Sequence, residues 1–109
     1  MKELFKAIHQ NAVDHGWWNM IDISRQEILS KIALCHAELS EAVEEVRKGE
    51  DFYGYREDDG KPEGMVVELA DTVIRIADLC EALGLDLEEA ILKKHEFNKT
   101  RPYKHGKKI

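Results

Sequence analysis

Four stretches of the chain place apolar side chains every three or four residues, the spacing that marks one face of an α-helix. The helical segments are residues 2–15, 25–48, 64–83 and a last segment that begins at Asp86. Gly16, Gly49 and Gly84 follow the first three, and glycine commonly ends a helix. The pattern predicts an all-α fold, a four-helix bundle-like single domain over residues 1–109.

The segment 64–83 is the most apolar of the four, and its apolar side chains cover most of a helical circumference. We expect this helix to start at Pro62 and to be buried nearly all round. One narrow polar stripe interrupts it, formed by Glu68, Asp71, Arg75 and Asp78. Buried carboxylates are costly unless they are paired or bind a cation. The stripe therefore indicates either a salt-bridge network or a metal site.

A second acidic stripe, formed by Glu38, Glu41 and Glu45, lies at the border of the apolar face of the segment 25–48. Acids at such a border can turn toward a neighbouring helix. We expect Glu38-x-x-Glu41 to face Glu68-x-x-Asp71 across a pocket. Oxygen ligands without His or Cys favour Mg²⁺ or Mn²⁺, whereas a di-iron bundle uses Glu-x-x-His pairs.

The last segment changes character along one face. Leu87, Ala90 and Ile91 are followed on the same line by three polar or cationic residues, Lys94, Asn98 and Arg101. Lysine and arginine supply charge and hydrogen-bond donors for phosphate oxygens. The alternative is a basic helix end whose long side chains reach solvent.

Two connections carry aromatic side chains. Trp17 and Trp18 are adjacent, so that one can seal the end of the bundle, or one can stack on a planar ligand such as a nucleobase. Residues 49–63 contain glycines, a proline and no helical period, which predicts a long loop. Its aromatic residues can fold over a site or over a neighbouring subunit.

Composition excludes several classes of function. The net charge of −6 argues against general binding to nucleic acid or to an anionic membrane. No stretch reaches the roughly 18 apolar residues of a membrane span, and no signal-peptide core is evident, so we expect a cytoplasmic protein. Cys35 and Cys80 lie on apolar faces and are expected to be small core residues. A helix that is apolar all round in a chain this short also predicts a homodimer or homotetramer.

Glu38-Leu-Ser-Glu41 and Glu68-Leu-Ala-Asp71, with 26 residues between them, resemble the E-x-x-E…E-x-x-D signature of MazG-like nucleoside triphosphate pyrophosphohydrolases, an all-α family. His15-Gly-Trp-Trp18, Pro62-Glu-Gly64 and the stretch from Lys94 to Lys107 add to the resemblance, which covers nearly the whole chain.

The resemblance implies hydrolysis of a nucleoside triphosphate at the α-phosphorus to monophosphate and pyrophosphate. The metal ligands it implies for Mg²⁺ are Glu38, Glu41, Glu68 and Asp71. It places Lys94, Asn98 and Arg101 on the phosphates. Glu41 or Glu38 is the residue expected to accept the proton of the attacking water.

Two other interpretations remain open at this point. The acidic and basic stripes can set pairing in a non-catalytic helical interaction module, or the same fold and metal can act on a phosphoribosyl nucleotide. Arg75 and Asp78 are expected to be structural, with Arg75 pairing with Glu45 or across a subunit interface.

Overall fold

The structure is a computed structural model that describes residues 1–19, 22–49 and 52–106. It is predominantly helical, which confirms the predicted all-α class. The helices are α1 (Lys2–Asp14), α2 (Arg25–Arg47), α3 (Met65–Ala82) and α4 (Leu87–Lys99). Two short strands, β1 (Gly54–Tyr55) and β2 (Pro62–Glu63), pair antiparallel, and a 3₁₀ turn spans Tyr103–Gly106. No described helix is both long enough and apolar enough to cross a membrane.

The helix boundaries follow from local hydrogen bonding. The side chain of Ser24 accepts a hydrogen bond from the backbone N–H of Glu27, and Asp86 does the same for Glu89 at the start of α4. These are N-caps that satisfy otherwise unpaired backbone donors. Gly84 ends α3 with a φ of 69°, a left-handed conformation that glycine adopts without strain. Three of the four predicted segments therefore end within a residue or two of their expected positions.

The start of α3 differs from the sequence prediction. Pro62 lies in β2 rather than at the first turn of the helix, and α3 begins at Met65 after Gly64, whose φ is 112°. The connection before α3 therefore folds as a small hairpin. The backbone N–H of Val66 donates to the carbonyl of Phe52, so the hairpin is tied to the first turn of α3. Residues Glu50 and Asp51 of the predicted loop lie outside the described residues.

The core lies between α1, α2 and α3. Helix α3 packs along α2 most extensively and along α1 next. The buried side chains come from these three helices and the connection after α1: Phe5, Trp18, Cys35, Ala42, Thr72, Ala77 and Leu79. Cys35 is a buried free thiol and Cys80 is a half-buried one, in agreement with their prediction as core residues.

Helix α4 does not complete a four-helix bundle within the chain. None of its residues is buried, and its contacts with α3 are few. The radius of gyration is 16.7 Å, against about 13 Å for a compact domain of this length. Within one chain, three helices pack together and α4 stays apart from the predicted four-helix bundle, because an amphipathic pattern specifies an apolar face but not which chain covers it.

Helix α3 is also less covered than predicted. Val66, Val73 and Ile74 are each more than two-fifths exposed, so the other described helices cover these apolar side chains only in part. Within one chain, α3 is therefore not buried nearly all round. Further large apolar side chains are exposed on α2 and α4, including Leu29, Val43, Leu92 and Phe97.

Candidate metal centre and adjoining cavity

Three carboxylates meet between α2 and α3. Helix α2 supplies Glu38, and α3 supplies Glu68 and Asp71, which are three residues apart and so share one face of the helix. One carboxylate oxygen from each residue lies within 4.8 Å of the others. All three residues are half-buried. The structure therefore brings together three of the four acids predicted as metal ligands.

Proximity and burial raise the proton affinity of this cluster. Burial raises the pKa of Glu68, and the negative charges of Asp71 and Glu38 raise it further. The pKa of Asp71 is also raised, mainly by burial and by Glu38, while Arg75 and Lys61 act in the opposite direction. The described cations therefore leave part of the negative charge of the cluster uncompensated.

The cluster fits a hard divalent cation. Its ligands are carboxylate oxygens from three residues, and Mg²⁺ and Mn²⁺ bind such oxygens in preference to softer ligands. A bound cation would also offset the repulsion that raises the pKa values of Glu68 and Asp71.

The fourth predicted ligand, Glu41, lies beside this cluster rather than in it. Its side chain is exposed, and it contributes no oxygen to the group of three. Its negative charge nevertheless raises the pKa of Glu68, although less than Asp71 and Glu38 do. Glu41 therefore stays outside the group of three, with its side chain open to solvent.

Arg75 pairs with the cluster itself. Its Nε donates a hydrogen bond of 2.8 Å to Oε1 of Glu38. The expected pairing with Glu45 is not formed, and Glu45 instead lies 3.8 Å from Nζ of Lys48. Arg75 follows Asp71 by one helical turn on the same face of α3, which explains why it reaches the site rather than a more distant glutamate.

A cavity of about 260 Å³ adjoins the carboxylates and extends between α1, α2 and α3. Glu38 and Asp71 form part of its wall, together with Arg75 and Asp78. The remaining lining residues come from α1, from the connection after it and from the first half of α2 and the middle of α3: Ile8, Asn11, Ala12, Trp17, Lys31 and Ile74. The cavity thus joins an acidic wall to an apolar and aromatic one.

The two adjacent tryptophans have different surroundings. Trp18 is 7% exposed, and its Nε1 lies 2.9 Å from each carboxylate oxygen of Asp78. Nδ1 of His9 lies 2.7 Å from the same carboxylate. Trp18 therefore seals the helices, one of the two predicted roles, and has no open ring face to offer. Trp17 is 62% exposed and lines the cavity.

The three residues predicted to contact phosphate, two on α4 and Arg101 just after it, lie elsewhere. Among the described residues, Lys94, Asn98 and Arg101 are absent from the cavity wall. Nζ of Lys94 lies 4.9 Å from the centre of the Phe97 ring. Oδ1 of Asn98 is buried and has no hydrogen-bond partner among the described residues. Within one chain, α4 and the residues that follow it do not bring these side chains to the cavity that adjoins the carboxylates.

Two polar residues of the cavity were not predicted. Lys31 lies seven residues before Glu38, two helical turns away on the same face of α2, so the spacing of the acidic stripe contained a signal for it. Its Nζ donates to the carbonyl of Trp17 at 3.2 Å. Asn11 lies on α1 three residues after Ile8. Nothing in the sequence around Asn11 indicated that it lines a site, and its place in the cavity wall follows only from the packing of α1 on α3.

The raised pKa values of Glu68 and Asp71 predict that removing these two charges stabilises the metal-free protein by an amount that depends on pH. Above the raised pKa values of Glu68 and Asp71 the folded, metal-free protein carries the full repulsion, and this penalty shrinks as the pH falls and the folded state takes up protons first. A Glu68→Gln/Asp71→Asn double variant in EDTA should therefore melt above the wild type near neutral pH. Its advantage should shrink toward 4.5, the ordinary pKa of glutamate. An advantage that is the same at both pH values would contradict the repulsion.

Protein-family models, curated proteins and solved structures offer no match to this chain. The three carboxylates and the cavity beside them therefore carry the functional assignment.

Proposed function

We propose that this protein is a Mg²⁺-dependent nucleoside triphosphate pyrophosphohydrolase of the all-α type. The proposal rests on one observation: carboxylate oxygens of Glu38, Glu68 and Asp71 lie within 4.8 Å of one another, and two of these residues, Glu38 and Asp71, line a cavity that is also lined by two cations and an exposed aromatic ring. The metal and the cations can neutralise the negative charge of a triphosphate, and the aromatic ring can stack on a nucleobase. The E-x-x-E…E-x-x-D resemblance, carried by the same residues, supports the same reaction.

In the proposed site, Glu38, Glu68 and Asp71 hold the metal. When bound, Mg²⁺ supplies positive charge against the phosphates and lowers the pKa of a coordinated water. Glu41 accepts the proton of the attacking water, because it lies beside the cluster and its side chain is open to solvent. The alternative base is Glu38, whose Oε1 already accepts a hydrogen bond from Arg75.

The base of the nucleotide is placed against Trp17. Its ring is exposed and lines the cavity, and an aromatic ring can stack on any base. Ile8 and Ile74 add apolar surface to the same cavity. Trp18 acts by holding the connection that carries Trp17 rather than by touching the ligand.

The direct test is a turnover screen of the common ribo- and deoxyribonucleoside triphosphates with Mg²⁺ and with Mn²⁺, with product identification. Attack at the α-phosphorus yields monophosphate and pyrophosphate, whereas attack at the γ-phosphorus yields diphosphate and phosphate. Release of pyrophosphate that stops in EDTA supports the proposal. No turnover, together with a melting temperature that Mg²⁺ and nucleotide leave unchanged, would favour the non-catalytic interaction module.

We further propose that the protein acts as a homodimer or homotetramer. Exposed apolar side chains on α2, α3 and α4 need cover, and an extended α4 without a buried residue can pack against a second copy. Such packing would also allow Lys94, Asn98 and Arg101 to approach a site on the second copy, where they would contact phosphate. Light scattering at micromolar concentration should return a multiple of 12.6 kDa. A stable monomer would contradict this assembly.

A further inference from the structure

Arg75 lies where the carboxylate cluster meets the cavity. Its guanidinium is bonded through Nε to Glu38, and the residue also lines the cavity with Asp71 and Asp78. The side chain is 34% exposed, so it is held by the protein on one edge and reachable on the other.

The hydrogen bonds of Arg75 leave most of its donors free. A guanidinium has five N–H groups, and the contact with Glu38 uses the one on Nε. Among the described residues, neither Asp71 nor Asp78 forms a salt bridge with Arg75, although both lie in the same cavity wall. The two Nη groups therefore have donors available for a ligand in the cavity.

The other cation of the cavity is less available. Nζ of Lys31 donates to the carbonyl of Trp17 at 3.2 Å and lies 4.3 Å from the centre of the Trp18 ring. These contacts hold the connection after α1, so that using Lys31 for a ligand would disturb the wall of the cavity. Arg75 needs no such rearrangement, because the edge of the guanidinium between its two Nη atoms faces away from the Nε–H that bonds to Glu38.

We propose that Arg75 binds the phosphate chain of the substrate through its Nη groups while its Nε stays on Glu38. This inference rests on the proposed function and names the cation by which a single chain recognises phosphate. One residue then links a metal ligand to the substrate. The planar fork of arginine suits two phosphate oxygens, which a lysine at the same position cannot match.

The variant Arg75→Lys separates phosphate binding by the guanidinium from simple neutralisation of the charge of Glu38. Lysine keeps the positive charge near Glu38 but loses the fork. The probe is inorganic tripolyphosphate with Mg²⁺, whose binding to the full-length protein is measured by calorimetry and requires no base recognition. Arg75→Gln is the second variant, and Arg47→Lys is the matched control, since Arg47 is exposed and pairs only with Glu44 among the described residues.

We expect Arg75→Lys to weaken tripolyphosphate binding about tenfold, or ~1.4 kcal/mol. The melting temperature in EDTA should stay close to that of the wild type, because the charge beside Glu38 remains. Arg75→Gln should weaken binding at least as much and also change the melting temperature. Arg47→Lys should bind as the wild type does. In turnover assays Arg75→Lys should raise KM more than it lowers kcat.

Normal tripolyphosphate binding by Arg75→Lys would overturn the inference, because it would show that charge beside Glu38 is sufficient. If that variant binds normally while the wild type hydrolyses nucleotides, the phosphate role of Arg75 fails and the proposed function stands. If the wild type binds tripolyphosphate through Arg75 but releases no pyrophosphate from any nucleotide, the phosphate contact stands and the hydrolase assignment fails. A wild type that does not bind tripolyphosphate overturns the inference.

Discussion

Asp71→Asn should lower nucleotide turnover by about 100-fold or more while the protein stays folded. Asp71 is half-buried and shares the cluster with Glu38 and Glu68, so its carboxylate is one of three that can hold the metal. Loss of residues that merely orient metal ligands commonly costs about 10- to 100-fold, and loss of a ligand should cost at least as much. The measurement is the initial rate of pyrophosphate release at saturating Mg²⁺.

The same change should leave the metal-free protein as stable as the wild type or more stable. The pKa of Asp71 is raised by burial and by Glu38, which means that the folded state holds this charge at a cost. Thermal melting in EDTA tests this expectation. A variant that fails to fold would point to a structural role, and one that turns over nucleotide at the wild-type rate would remove Asp71 from the metal site.

Glu41→Gln separates the role of proton acceptor from the role of metal ligand. Glu41 is exposed and outside the group of three oxygens. If it is the proton acceptor, Glu41→Gln should abolish turnover but keep much of the affinity for Mn²⁺. Asp71→Asn should lose both the turnover and the affinity for Mn²⁺. Glu44→Gln is the matched control, since Glu44 is an exposed acid on the same helix that pairs with Arg47. If Glu41→Gln and Glu44→Gln behave alike, Glu41 is not the proton acceptor.

Periodicity predicted the helices well because each helix is specified locally. The caps at Ser24 and Asp86 and the glycine after α3 are visible in the sequence, and each acts within a few residues. Pro62 misled because proline suits both a first helical turn and an edge strand. A backbone hydrogen bond from Val66, in the first turn of α3, to Phe52 ties the hairpin to the helix, and no local sequence pattern contains this contact.

The candidate site was predictable only where two residues share a helix face. Glu68 and Asp71 are three apart, and the i, i+3 relation places them together whatever the rest of the fold does. Whether Glu41 turns into the cluster depends on rotamer and packing, which spacing does not determine. The position of α4 depends on tertiary contacts that are few in the isolated chain, so the helical pattern could not bring Lys94 to the carboxylates.

Asp78→Ala should destabilise the protein by about 2–4 kcal/mol, the largest loss of stability that we expect from a single polar residue of α3. Its carboxylate accepts a hydrogen bond from Nε1 of Trp18 and contacts Nδ1 of His9, and thereby joins α1, the connection after α1 and α3. The alanine variant strands the indole N–H of Trp18, a side chain that is 7% exposed. An unsatisfied buried donor costs about 1–3 kcal/mol, and His9 loses its partner as well.

The test is thermal melting at equal protein concentrations, because self-association would make the melting temperature depend on concentration. For a domain of this size, 2 kcal/mol corresponds to a fall of roughly 8 °C or more. Asp78→Asn should lose less, since its side-chain oxygen can still accept from Trp18. Asp14→Ala is the matched control, an exposed acid on α1 whose described partner is Gln10. If Asp78→Ala has the melting temperature of Asp14→Ala and the wild type, the contacts of Asp78 with Trp18 and His9 do not hold α1 to α3, and the connection that carries Trp17 must be held by apolar packing and by Lys31.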